Sequence, residues 1–157
     1  MIPMRRSKQQ LSPETCDRIL KRNTSGVLAL NSEQGPYAAP LSYVYEDGRI
    51  IFHGATIGHK MDAIAHDARA SFCVIDADDV VPEEFTTRYR SVIVAGKIKI
   101  LESQNEKLEA LSVLGMSCYP NEDACSEEIN KFINSTCVFV LEPSSITGKR
   151  GLKATEE

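Results

Sequence analysis

The sequence predicts a mainly β chain with peripheral helices, folded as a small antiparallel barrel. Two observations carry that class. Short apolar runs rich in β-branched residues are separated by turn residues, and Asp47-Gly48 joins two of them with the strongest short hairpin signal. The element order is helix, three strands, helix, two strands, helix, short helix, strand, so hairpins dominate and a doubly wound parallel sheet is excluded.

The elements follow in order. Residues 1–11 are basic and polar and are expected to form a loosely held arm. Ser12-Pro13-Glu14 starts a helix, with Ser12 as N-cap and Pro13 at the first helical position. Cys16, Ile19 and Leu20 share its apolar face, and Asn23 to Gly26 end it. Residues 26–30 form a strand and 31–35 a turn. Residues 36–45 form a second strand, in which Pro40 lacks a ladder donor and so marks an edge or a bulge. The hairpin turn at Asp47-Gly48 pairs it with a third strand over 49–53. A loop over 54–58 leads into a helix over 59–66. Residues 70–75 are a strand, 76–85 an acidic loop, and 89–101 a long strand in which Gly96 suggests a bulge. Helices over 104–114 and 127–134, a strand over 136–141 and a tail over 142–157 complete the chain.

A length of 157 residues suits one domain over 1–157 with a real core. The net charge of −4 argues against a general binder of nucleic acid or of acidic membranes. No apolar run approaches the roughly 20 residues that span a bilayer. The positive N-terminus has no apolar stretch behind it, so no signal peptide is expected and a cytoplasmic location is. The five cysteines show no metal-ligand spacing and read as reduced thiols, with Cys73 and Cys137 as small core residues. No metal site is expected. P-loop, G-x-S-x-G, H-E-x-x-H and G-x-G-x-x-G patterns are all missing, which disfavours the commonest hydrolases, kinases and Rossmann dehydrogenases.

The stretch FHGATIGHKMDAI, residues 52–64, carries the most chemistry. It leaves a strand and enters a helix whose N-terminus offers unpaired N–H groups and a positive dipole end. Gly58 lets the backbone approach an anion, and Thr56, His59 and Lys60 offer donors and charge. The same residues also suit an ordinary connection with a solvated lysine. His53, at the strand end, either satisfies its own nitrogens or faces a ligand, whereas His66 suits a helix C-terminus. Three further stretches are notable: Ala39 to Val44 with its unpaired proline, Ser91 at the head of an apolar strand, and the basic Gly148-Lys149-Arg150.

Taken together, GVLAL at 26–30, PYAAPLSYVYEDGRIIFHGATIGHKMDAI at 36–64, ARASFCVI at 68–75, YRSVIVAGKIKILE at 89–102, EKLEALSVL at 106–114 and ITGKRG at 146–151 resemble the pyridoxamine 5'-phosphate oxidase-like split-barrel flavoproteins. Within them, the chain is most similar to the Nim-type 5-nitroimidazole resistance branch. The resemblance implies a six-stranded antiparallel split barrel of the FMN-binding type, a homodimer, and FMN between the subunits, with FAD left open. By position it places Pro40, Leu41, Ser42, Tyr43 and Val44 along the isoalloxazine, mostly through backbone. His53, Gly54 and Ala55 follow at the strand end, His59 and Lys60 take the phosphate, and Ser91 and Lys149 join from later segments. Relatives that oxidise pyridoxamine phosphate often carry Arg-Lys where this chain has His59-Lys60, and their C-terminal substrate segment is missing here. Vitamin B6 oxidation is therefore not inferred.

The function this implies is a flavin-dependent reductase that takes electrons from NAD(P)H or another donor and passes them to a small acceptor such as a nitroimidazole. His53 is its candidate acid or base, since imidazole ordinarily titrates near neutrality. The alternatives are a non-catalytic flavin- or haem-related binding or sensor protein on the same barrel, and a dimeric scaffold with an empty cleft.

Overall fold

The computed structural model describes residues 4–118 and 121–154. Helix α1 (Pro13–Arg22) starts as its sequence dictates, with the Thr15 amide donating to Ser12 Oγ at 3.2 Å. The strands are β1 (Ser25–Ser32), β2 (Gly35–Ser42), β3 (Val44–Glu46), β4 (Arg49–Ala55), β5 (Arg69–Val81), β6 (Thr86–Ile100) and β7 (Thr136–Arg150). The other helices are α2 (His59–His66), α3 (Gln104–Cys118) and α4 (Glu122–Phe132). No helix among the described residues is long and apolar enough to cross a membrane.

All strands belong to one sheet in the order β2-β1-β5-β6-β7-β4-β3, and every pairing is antiparallel. The two edge strands, β2 and β3, are consecutive in the chain with only Tyr43 between them. A flat seven-stranded sheet could not place its edges one residue apart, so the sheet rolls up and its seam falls at Tyr43. β2 and β3 do not pair, so the barrel is split. The expected strand count of six becomes seven because the strand expected over 36–45 breaks at Tyr43. Its first part pairs with β1, and only Val44–Glu46 pairs with β4 across the Asp47-Gly48 turn. The cause of the break is visible. Tyr43 is 3% exposed, its amide donates to Thr24 O at 3.0 Å, and its hydroxyl donates to Leu20 O at 2.8 Å. Its ring meets Phe72 edge-on at 4.9 Å. The turn residues Asp47 and Gly48 have φ of 49° and 74°, the left-handed pair that a tight hairpin needs.

The barrel interior is packed by Leu28, Phe52, Phe72, Val92, Val94 and Phe139, all fully buried. A second cluster, with Ile51, Leu101, Leu111, Leu114, Val138 and Val140, seals α3 and α4 onto the outside of β4 and β7. Ile50 to Phe52 of β4 and Val138 to Leu141 of β7 are thus covered on both faces, which is why they are unbroken apolar runs. Each such side chain contributes about 1.5–3 kcal/mol by leaving water.

Several expectations change. The acidic loop over 76–85 is a strand ribbon, since β5 runs to Val81 and β6 starts at Thr86. The tail is strand as far as Arg150, because β7 continues along β6 past a bulge. The arm is tied down over its described part: Gln9 and Leu11 are buried, and the Leu11 amide donates to Gly148 O at 3.0 Å. Cys137 is buried as expected, but Cys73 is half-buried and faces outward.

The bulge falls at Gly96, where the sequence suggested one, and its geometry excludes a side chain. A Cβ there would lie 2.0 Å from Glu142 O. Gly96→Ala is expected to lower the unfolding free energy by about 1–3 kcal/mol, the scale of overpacking, read by urea denaturation. Unchanged stability would show that β7 yields freely at Pro143.

Candidate functional site at the seam of the barrel

β4 carries the first part of the site. Phe52 points into the barrel and His53 points out, exposed, opposite Val138. Gly54 pairs with Cys137 and Ala55 with Thr136. The chain then leaves β4 through Thr56, Ile57 and Gly58 and starts α2, which packs against β1 and β2 at the other side of the seam. The loop therefore crosses the opening between β4 and β2. Gly58 has φ of 118°, a conformation that other residues resist, and its carbonyl accepts from the Met61 amide at 2.8 Å. No side chain caps this helix end, so the His59 and Lys60 amides at the start of α2 stay available, while those of Met61 and Asp62 are engaged by Gly58 O.

Lys60 is half-buried and folds back over β4. A Cβ on Gly54 would lie 2.8 Å from its Nζ, so the glycine leaves the space that the ammonium uses. Nζ stands 5.3 Å from the centre of the Phe139 ring. Among the described residues no carboxylate pairs with Lys60. Burial pushes its pKa below the ordinary lysine value. His59, the first residue of α2, stacks on Tyr37 of β2 with ring centres 4.2 Å apart and planes at 22°.

β2 forms the other lip. Pro40 and Ser42 are exposed, Leu41 is half-buried against the barrel core, and Val44 is half-buried against the second cluster. Tyr43 is buried with its hydroxyl engaged, so its side chain is turned away from any ligand at the seam. Pro40 sits on an edge strand, as a missing ladder donor requires.

Ser91 and Lys149 are register partners, and Lys149 Nζ lies 5.8 Å over the Tyr89 ring. They are not beside the loop. Gly54 meets β7 near its start, at Cys137, whereas Lys149 stands near the end of that 15-residue strand. One chain therefore gathers His53, Gly54, Ala55, His59 and Lys60 with the β2 lip, and holds Ser91 and Lys149 apart from them. Between lies the outer face of the sheet. Pro40, Val27, Cys73, Ile93 and Thr147 form one outward row across five strands, and Ala38, Ala29, Ser71, Ala95 and Ser145 form the next. Val27, Ile75 and Ile93 are exposed on this face, an apolar surface of small and β-branched residues.

A charged clamp adjoins Ser91 in the chain, at Arg90. Asp76 is the extra residue of a bulge between β5 and β6, and its side chain is 4% exposed. It accepts from Arg22 Nε at 2.6 Å, Arg90 Nε at 2.7 Å and Asn23 Nδ2 at 2.9 Å. Burial opposes its ionisation, but these hydrogen bonds outweigh burial and hold the carboxyl well below the usual carboxylate range. No group of three or more His, Cys, Asp or Glu among the described residues could hold a metal ion.

A sequence model of the family described as pyridoxamine 5'-phosphate oxidase matches residues 12–150. The chain belongs to the pyridoxamine 5'-phosphate oxidase family. No curated protein matches it. Solved structures share its fold at low identity. A Bacteroides thetaiotaomicron VPI-5482 protein named for 5-nitroimidazole antibiotic resistance is 17% identical with a TM-score of 0.75, covering 88% of this chain and 84% of its own. A Mycobacterium smegmatis FAD and haem binding protein is 23% identical with a TM-score of 0.78, covering 96% and 76%. The Azotobacter vinelandii flavocytochrome Anf3 is 20% identical with a TM-score of 0.80, covering 97% and 73%.

Membership of the pyridoxamine 5'-phosphate oxidase family agrees with the mainly β split-barrel class expected from the sequence. Three site features lay outside sequence reasoning: Tyr37 under His59, Phe139 under Lys60, and the Asp76 clamp. Each is a contact between residues far apart in the chain, and no local pattern announces it.

Proposed function

We propose that the chain binds a flavin, FMN first and FAD second, with its phosphate on the side chains and amides of His59 and Lys60 at the start of α2. The observation that carries this reading is Lys60: a half-buried ammonium laid over a glycine and an aromatic ring, with no carboxylate among the described residues. A charge so placed is completed by an anion. The residues fit the group. Pro40 to Ser42 and the backbone of Tyr43 and Val44 offer one lip to a flat ring, and His53 and Ala55 offer the other, while Gly54 between them faces Lys60. Ser91 and Lys149 would be supplied by a second copy, because one chain keeps them away from the loop. The outer face with Val27, Ile75 and Ile93 suits the contact between two copies, so the working form is a homodimer.

A bound flavin supplies the redox chemistry, taking up electrons from a donor such as NAD(P)H and delivering them to a small acceptor. The chain's own part is to bind the phosphate, lay the ring between its two lips, and offer His53 as a proton donor from the strand end. A nitroimidazole or other nitroaromatic is the acceptor class, in keeping with the name of the Bacteroides structure. The haem and FAD partners named for the mycobacterial structure support a second reading, a flavin or haem-related carrier without turnover.

The absorption spectrum of the purified protein tests the first step. A yellow protein, or one that takes up FMN with one flavin per chain and two chains per particle, is expected. A colourless protein that fails to bind either FMN or FAD sinks both readings. NADH or NADPH oxidation with a nitroimidazole then separates them: no turnover at full flavin occupancy leaves only the carrier.

A further inference from the structure

We infer that Tyr37 and Gly54 are positioning residues of the phosphate site, acting through His59 and Lys60 without touching the ligand themselves. The inference rests on the reading above, that His59 and Lys60 take the flavin phosphate. Two separate contacts carry it. The Lys60 ammonium lies beside Gly54 on β4. An added methyl would stand 2.8 Å from Nζ, so the lysine end would swing outward, away from the Phe139 ring. The obstacle is the tip of a flexible side chain, and Gly54 does not have a left-handed backbone. Gly54→Ala therefore leaves the fold intact and moves only the charge.

Tyr37 acts on the other donor. His59 stands at the first position of α2, exposed, where its side chain would otherwise sample several rotamers. The Tyr37 phenol lies nearly parallel beneath the imidazole at 4.2 Å and is itself packed against the barrel core. The stack fixes the plane in which both ring nitrogens lie, at the mouth of the helix. The tyrosine hydroxyl forms no hydrogen bond among the described residues, so the ring alone does this work. Two elements on opposite sides of the seam thus each aim one donor at the same helix end.

Affinities for FMN and for riboflavin separate this role from a general one, because the two ligands share the ring and the ribityl chain and differ in the phosphate. Gly54→Ala and Tyr37→Ala are each expected to weaken FMN about ten-fold, the scale of one impaired charge-assisted hydrogen bond, with riboflavin affinity unchanged. Tyr37→Phe is expected to bind FMN like the wild type. Lys60→Met is the control for the underlying reading. If Lys60→Met leaves the ratio of FMN to riboflavin affinity unchanged, the phosphate assignment itself falls. If Lys60→Met lowers that ratio while Gly54→Ala and Tyr37→Ala do not, only the positioning role falls. A parallel loss of both ligands in Tyr37→Ala, with a lowered melting temperature, would mark that residue as structural and overturn its part, leaving Gly54→Ala as the test of the other.

Discussion

Asp76→Ala is expected to cost about 3 kcal/mol of folding stability at neutral pH, the low end for removing one partner of a buried ion pair. The low end applies because Arg22 is 44% exposed and rehydrates, whereas Arg90, at 16%, cannot do so fully. The loss falls on α1 and on the β5–β6 bulge together, since the carboxylate joins Arg22 and Asn23 at the helix end to Arg90 on the sheet. The pH dependence has a definite sign. Burial alone would raise this carboxyl, but the three donors outweigh it and the folded-state pKa is depressed. The contribution is therefore complete above the unfolded value of about 4 and is lost as pH falls through the lower folded value. Chemical denaturation of wild type and variant from pH 7 to pH 3 should show the gap between them narrowing below about pH 4. Asp67 is also held below the usual range by Arg69 and adds an acid slope to both proteins, so the difference curve isolates Asp76. A gap that stays constant to pH 3 would show that the clamp does not act through ionised Asp76.

What the sequence made legible was local. Ser12-Pro13 starts α1, Asp47-Gly48 turns the hairpin, Gly96 marks the bulge, and residues 59–66 form a helix, each because a cap, a turn or a spacing acts over a few residues. The strand ends were misread where long-range pairing overrides composition. Asp76 to Val81 looks like an acidic loop until Arg22 and Arg90 neutralise Asp76 and β6 supplies a ladder for the rest. Glu142 to Arg150 looks like a tail until β6 and the buried Leu11 hold it. The break at Tyr43 needs Leu20 and Thr24, twenty residues away or nearly so. The candidate loop was legible as a strand-to-helix connection rich in donors, but not the half-burial of Lys60, which comes from Phe139 and from the absent side chain of Gly54.

That half-burial predicts opposite effects of one substitution on stability and on binding. Lys60→Met is expected to raise the melting temperature of the flavin-free protein and to weaken FMN by about 1–3 kcal/mol, the scale of a charge-assisted hydrogen bond. Burial lowers the pKa of Lys60, which means that the charged form is less favourable in the fold than in the unfolded chain. Between the folded value and the ordinary one near 10.4, the unfolded chain binds more protons, so Lys60's contribution improves as pH rises and its penalty is complete at neutral pH. The Phe139 ring at 5.3 Å offsets only part of that penalty. Methionine keeps the length and apolar stem of the side chain and removes the charge, so the penalty disappears together with the phosphate contact. Melting curves with and without saturating FMN should therefore cross: the variant is the more stable protein without flavin, and the wild type the more stable with it. In the wild type, FMN affinity should also fall as pH rises through the lowered lysine value, a drop that the methionine variant lacks. Equal FMN affinity in the two proteins would remove Lys60 from the phosphate site. A lower melting temperature for the flavin-free variant would show that the ammonium stabilises the seam instead of waiting there for an anion.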